Sequence, residues 1–303
     1  MKRIITLAAT VLFLLFACGC TEKAKKDEIS CVATIFPAYD FARAVAGDDA
    51  DVQMLLPPGT EIHTYEPSPQ DITAIQNADI FIYTGGESDF WVQKVLSSVQ
   101  TDNMQIIKMM ENAELLCEEG ENGHHHEHEH EYDEHVWTSP ENAKKIITAV
   151  ADAFGDVDAV NSKAYEERAK TYCDEIEKLA KETKAVADRL KKLVVADRFP
   201  LKYFCEYYSL DYLAAFSACD LLADADAQTV AELINTVREE KISAVYYIEN
   251  GSGYLADTVC SETGAKKIKI NSLHTISRDD FLSGITYLDV MKYNKEALER
   301  GLE

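Results

Sequence analysis

Short apolar runs and helix-period runs alternate along the chain in two sets. In the first set, β-rich apolar stretches at Cys31 to Phe36, Val52 to Leu56, Ile80 to Thr84 and Ile106 to Met109 predict strands. Helical patterns fall between them at Tyr39 to Ala46, Pro69 to Asn77 and Phe90 to Val99, with breaks at Pro37, Gly47, Pro57-Pro58-Gly59 and Gly85-Gly86. Ser139 followed by Pro140 reads as an N-cap and first helical residue, which predicts a helix from Pro140 to Phe154. The second set places strands at Leu193 to Ala196, Tyr212 to Phe216, Ala244 to Ile248 and Lys267 to Ile270. Its helices cover Leu201 to Tyr208, Asp226 to Glu239, Gly253 to Thr263 and Asp279 to Leu298.

Between the two sets runs a single long apolar stripe. Tyr165, Ala169, Tyr172, Ile176, Leu179, Thr183, Val186 and Leu190 recur at steps of four and three, and neither Gly nor Pro occurs between Asp156 and Phe199. At about 1.5 Å per residue this predicts a stiff rod of roughly 50 Å, which would resist large hinge closure. The expected fold is α/β, with two lobes, each a mostly parallel sheet flanked by helices, joined by one long rigid helix. The expected boundaries are 29–155 for the amino-terminal lobe, 156–192 for the linking helix and 193–303 for the carboxyl-terminal lobe. Ligands of such sheets sit beyond the carboxyl ends of the strands, so a cleft between the lobes is the expected binding place.

The start of the chain changes the cellular setting. Lys2 and Arg3 precede an uncharged apolar run from Ile4 to Ala17, too short to span a bilayer and built like an export signal over residues 1–20. Leu15-Phe16-Ala17-Cys18 and Ala17-Cys18-Gly19-Cys20 both resemble the bacterial lipoprotein cleavage box. Cys18 is favoured as the acylated residue because Leu15 stands three positions before it, with Cys20 left open. Residues 21–28 are polar, as a tether from lipid to folded body should be. An extracytoplasmic, lipid-anchored protein is therefore expected.

Six further cysteines, Cys31, Cys117, Cys173, Cys205, Cys219 and Cys260, are widely spaced without a Cys-x-x-Cys pair, so neither a zinc knuckle nor a redox motif is indicated. Disulfides are permitted outside the cytoplasm, but spacing assigns no pairing. The net charge of -23 argues against a nucleic-acid partner and is compatible with attracting cations.

Candidate chemistry centres on histidine. Of eight in the chain, His124, His125, His126, His128, His130 and His135 lie within twelve positions, interleaved with acidic residues. Imidazole and carboxylate both suit a borderline divalent cation, and the alternation of charged residues with flanking Gly120 and Gly123 predicts a solvated loop over 118–134. His135 stands apart, since Val136-Trp137-Thr138-Ser139-Pro140 places it just ahead of a capped helix. His63 lies in a proline-flanked loop after the second strand, at the strand end where a ligand is expected. His274 follows the last strand and Glu249 the strand before it.

These residues resemble the solute-binding lipoproteins of zinc and manganese ABC importers over nearly the whole mature chain. Gly59-Thr60-Glu61-Ile62-His63-Thr64-Tyr65-Glu66-Pro67-Ser68-Pro69 is similar to the first ligand loop of that family. The His-rich insert followed by Glu134-His135-Val136-Trp137-Thr138-Ser139-Pro140 is similar to the second. Tyr203 to Leu210 and Tyr287 to Asn294 lend weaker support. In the family a His or Glu stands five residues before the tyrosine matched to Tyr203, and here that position is Arg198, which has no lone pair to donate. His274 falls near an acidic ligand of the manganese-binding relatives, so the resemblance implies a set of His63, His135 and His274. Glu249 is then a fourth ligand or an outer partner, with Arg198 expected to pair with a carboxylate such as Glu249.

The resemblance implies a receptor that captures Zn²⁺ and delivers it to an ABC permease and its ATPase, as a monomer and without catalysis. Three imidazoles favour zinc over Mn²⁺, which prefers more oxygen ligands. The run from His124 to His130 is expected to be an auxiliary collector. A zinc hydrolase is the alternative from another class, although the chain has neither His-Glu-x-x-His nor Gly-x-Ser-x-Gly. A surface adhesin or zinc buffer is the third reading.

Overall fold

A computed structural model describes residues 28–117, 132–218 and 225–303. The export signal, Cys18, Cys20, Cys219 and the histidines from His124 to His130 lie outside the described residues. Two four-stranded sheets are present, each wholly parallel. The first contains β1 (Ile29–Ala33), β2 (Ala50–Met54), β3 (Ile80–Tyr83) and β4 (Gln105–Lys108) in the order β2-β1-β3-β4. The second contains β5 (Leu193–Arg198), β6 (Tyr212–Phe216), β7 (Ala244–Tyr247) and β8 (Lys266–Lys269) in the order β6-β5-β7-β8. Helices cover both faces of each sheet, and the central strands are accordingly apolar on both sides, as in β3, where all four residues are buried.

Three expected boundaries move, each for a local reason. Pro37 does not stop a strand but sits in the first turn of α1 (Phe36–Ala46), where its missing N–H is not needed. The rod is shorter than expected: α4 (Pro140–Val157) ends at Asp158, and α5 (Ser162–Ala187) is 26 residues, about 39 Å at 1.5 Å per residue. Asp158 makes the break without Gly or Pro, because its carboxylate accepts the Val160 backbone N–H and the Asn161 side-chain amide. The expected closing helix is two helices, α9 (Arg278–Ser283) and α10 (Tyr287–Leu302). Gly284 separates them at φ 77°, and Thr286 and Asp289 form a capping box that starts the second.

The two lobes do not stand apart. One apolar core runs from beneath the first sheet, through Phe41, Trp137, Phe154 and the α5 stripe residues Tyr165, Ala169, Ile176 and Val186, to Phe204 and Tyr287 beside the second. Smaller clusters fill the opposite faces, around Val32, Phe81 and Val92 in the first lobe and Val194, Leu233 and Val245 in the second. Burying so much apolar surface at about 25 cal/mol per Å² makes this shared core the main force holding the lobes together. Among the described residues no helix is long and apolar enough to cross a membrane, and the five described cysteines are unpaired.

Candidate metal centre

The carboxyl ends of both sheets converge where the lobes meet, and loops from each carry the candidate ligands there. In the loop after β2, His63 lies in a short 3₁₀ turn (Ile62–Thr64) anchored by the buried Ile62. The Gly59 N–H donates to Thr275 Oγ1 at 3.0 Å, which ties this loop to the opposite lobe.

His135 opens a second 3₁₀ turn (Val136–Thr138) directly ahead of α4. Its backbone N–H donates to Asp133 Oδ1 at 2.8 Å, and its ring Nδ1 lies 3.0 Å from the same oxygen. That contact fixes the tautomer with the proton on Nδ1 and leaves Nε2 as the donor atom toward a metal. Trp137 is fully buried, donates from Nε1 to the Ser272 carbonyl at 2.9 Å and accepts the Tyr287 hydroxyl on its own carbonyl at 2.9 Å. The turn that carries His135 is thus pinned to the second lobe.

His274 is presented by an unusual backbone. Leu273, immediately before it, adopts φ 62°, a region an ordinary side chain rarely occupies. The Leu273 N–H donates to Asn271 Oδ1 at 2.7 Å, and buried Asn294 bonds both the N–H and the carbonyl of Asn271. Those three bonds and the burial of Leu273 hold a conformation that strain would otherwise open.

The three imidazoles meet. The rings of His135 and His274 are 4.4 Å apart between centroids, and those of His63 and His274 are 5.3 Å apart. Sequence reasoning did not single out Glu134 as a site residue, yet its Oε1 lies 3.9 Å from His63 Nδ1. One donor atom each from His63, Glu134 and His274 fall within 4.8 Å of one another; His135 is not part of that group and joins the site through its ring contact with His274. His63 Nε2, His274 Nε2 and Glu134 Oε1 are all buried without a hydrogen-bond partner among the described residues. Buried polar atoms are almost always paired, so unpaired acceptor-capable atoms on three neighbouring side chains fit a cation. The mixed nitrogen and oxygen donor set suits zinc.

Burial keeps two of the imidazoles, His63 and His274, neutral. Burial lowers the pKa of His63 against the pull of Glu134 and Glu61. Burial, reinforced by His135, His63 and the Arg198 cation, puts His274 well below the ordinary histidine value. Asp133 is raised by burial, but His135 outweighs this and holds the carboxyl below its usual range.

Arg198 pairs with a carboxylate as expected, but with a different one, and Glu249 takes the outer of the two positions left open for it. Arg198 pairs with Glu61, Nη2 to Oε2 at 3.1 Å, and not with Glu249. Glu249 is already engaged: its two oxygens accept the Ser272 N–H and hydroxyl at 2.8 and 2.6 Å, and the Ser272 hydroxyl oxygen in turn accepts the His274 N–H at 3.3 Å. Glu249 therefore braces the His274 loop from behind. Glu134 escaped notice because it ends an acidic stretch where a carboxylate reads as a solvated charge, and Glu61 because it is a lone carboxylate in the loop whose histidine drew the attention. The one signal for Glu134 was its position directly before His135.

Comparisons place this geometry among known proteins. The family model described as the periplasmic zinc-uptake complex component A matches residues 31–301. The chain is 34% identical to the zinc-binding lipoprotein AdcA of Streptococcus pneumoniae, over 99% of its own length and 61% of that protein. It is 31% identical to the high-affinity zinc uptake system protein ZnuA of Bacillus subtilis, over 97% of its length and 95% of that protein. The crystal structure of the Zn(II)-bound ZnuA-like domain of Streptococcus pneumoniae AdcA superposes with a TM-score of 0.72 at 31% identity, covering 91% of this chain and 99% of that one. The chain thus spans about three fifths of the AdcA relative and nearly all of the ZnuA one. With its sequence matched almost from end to end and its two parallel sheets superposing on a zinc-bound relative, the chain belongs to the zinc-uptake complex component A family.

Proposed function

We propose that this protein is an extracytoplasmic, lipid-anchored receptor that captures Zn²⁺ between its lobes and delivers it to an ABC permease and its ATPase. The observation that carries this reading is the convergence of the His63 and His135 rings on that of His274, drawn from loops far apart in sequence. Supporting it are the family and the zinc-binding relatives. In this reading residues 29–155 and 193–303 are the two metal-binding lobes and 156–192 links them.

His63 and His274, held neutral at physiological pH, accept a cation without first giving up protons, which favours fast capture. The Asp133 contact orients His135 and raises its basicity, and the Glu249–Ser272 pair orients the backbone that carries His274. Neither group is a nucleophile or a proton shuttle, and the role is binding without catalysis. The run from His124 to His130 acts as a weaker collector beside the ordered site.

Elemental analysis and zinc titration of the wild type beside His63→Ala, His135→Ala and His274→Ala test the reading. One tightly held zinc in the wild type, weakened in each variant, is expected. A tight site that survives all three substitutions and disappears when residues 118–131 are deleted would transfer the function to the His-rich run.

A further inference from the structure

The arginine at 198 leaves the site one ligand short, because three imidazoles do not complete a four-coordinate zinc. Each nearby carboxylate can be asked whether it has an oxygen to give. Glu61 gives Oε2 to the Arg198 guanidinium and Oε1 to the backbone N–H of His63 at 3.5 Å. Asp133 Oδ1 is held by the backbone and ring of His135. Glu249 spends both oxygens on Ser272. Asp89 uses Oδ2 on the Thr84 and Gly85 N–H groups; its Oδ1 has no partner, but Asp89 is not one of the close group that His63, Glu134 and His274 form.

Glu134 is different. Its Oε2 accepts both the backbone N–H of Ser88, at 3.1 Å, and the Ser88 hydroxyl, at 2.7 Å. Those bonds aim the other oxygen, Oε1, at the imidazoles, where it is buried and unpartnered. Gly86 makes the space: a Cβ there would stand 2.2 Å from Glu134 Oε2 and 2.5 Å from its Cβ. The Gly85-Gly86 turn after β3 and the following Ser88 thus form a socket shaped to one carboxylate. Such a socket is costly without purpose, since it buries a carboxylate with one oxygen unsatisfied.

Resting on the zinc-receptor reading, we infer that Glu134 is the fourth metal ligand, presented by a socket of Gly86 and Ser88, so that three of the four donors belong to the first lobe and His274 alone to the second. Arg198, at the end of β5, has no lone pair to give; it pairs with Glu61 and supplies a positive charge beside the cation.

The test uses the full-length chain and its Glu134→Gln and Gly86→Ala variants, titrated with Zn²⁺ against a competing chelator, with Co²⁺ absorption as a readout of coordination. Thermal melts of the metal-free proteins check that each variant is folded. Glu134→Gln should lose more than the about 10–100-fold in affinity that loss of an outer partner costs. The Co²⁺ spectrum should change in both variants, because Gly86→Ala displaces the carboxylate without removing it. Folded variants that bind zinc as tightly as the wild type, with an unchanged Co²⁺ spectrum, overturn the assignment of Glu134 and leave the receptor reading intact if His63→Ala still abolishes tight binding. A wild-type chain with no tight zinc overturns both.

Discussion

Asp133 and His135 share two contacts through one oxygen: Asp133 Oδ1 takes the backbone N–H of His135 at 2.8 Å and faces its ring Nδ1 at 3.0 Å. A carboxylate two residues away thus fixes both the turn and the tautomer of the histidine. Asp133→Asn offers an amide in its place and removes the charge that steadies Nδ1–H. Zinc affinity should fall about 10–100-fold with the fold retained, measured by chelator competition and circular dichroism. An unchanged affinity would mean that the turn alone orients His135.

The pH dependence follows from the depressed histidines. His63 and His274 have folded-state pKa values below the ordinary 6.5, so between 6.5 and those lower values the unfolded chain binds more protons than the folded one. Stability of the metal-free protein should therefore be flat with respect to these groups above pH 6.5 and decline as pH falls below it. Zinc affinity should likewise hold down to about pH 6.5 and weaken only in more acid solution, where protons begin to compete for the same nitrogens. Melting temperature and zinc competition across pH 8 to 5 check both halves of the statement. Affinity falling steeply already between pH 8 and 7 would contradict it.

Arg198 should act as an attenuator of cation binding. Its charge is felt at both His63 and His274, and its pairing with Glu61 cancels only part of it. Arg198→Met removes that charge and frees the Glu61 carboxylate, so zinc should bind severalfold more tightly, with the gain shrinking at high salt. Weaker binding in this variant would show that the ion pair is needed to hold the His63 loop.

Trp137 joins the two lobes through its indole N–H, which donates to the Ser272 carbonyl two residues before His274. Trp137→Phe keeps most of the apolar volume but leaves that buried carbonyl unpartnered, at a cost of about 1–3 kcal/mol. Denaturant unfolding should report this loss, and zinc release should speed up because the His274 loop is less firmly placed. A faster release without any loss of stability would argue that the bond serves the loop alone.

The arrangement of strands and helices was legible in the residues because burial on both faces of a parallel sheet leaves continuous apolar runs, and β3 is such a run in sequence and structure. The α5 stripe was legible for the same reason, since Tyr165, Ala169, Ile176, Thr183 and Val186 are all buried where their spacing placed them. Helix ends were read only to within about a turn where polar side chains set them: the helix expected to end at Phe154 runs through Gly155 to Val157, and the bonds that the Asp158 side chain accepts delay the next to Ser162. His63, His135 and His274 stood out because imidazoles at strand ends and ahead of a capped helix are few.

Sequence alone determined which residue types could hold a cation and excluded Arg198 from doing so, because lone pairs belong to side chains whatever their surroundings. Tertiary structure decided which carboxylate faces the imidazoles. Glu61, Asp133, Glu134 and Glu249 are equivalent donors on paper, and only the folded neighbours, Arg198, His135, Ser88 and Ser272, settle which oxygens are already taken. Hydrogen-bond occupancy is a property of contacts between segments distant in the chain, and no local pattern records it.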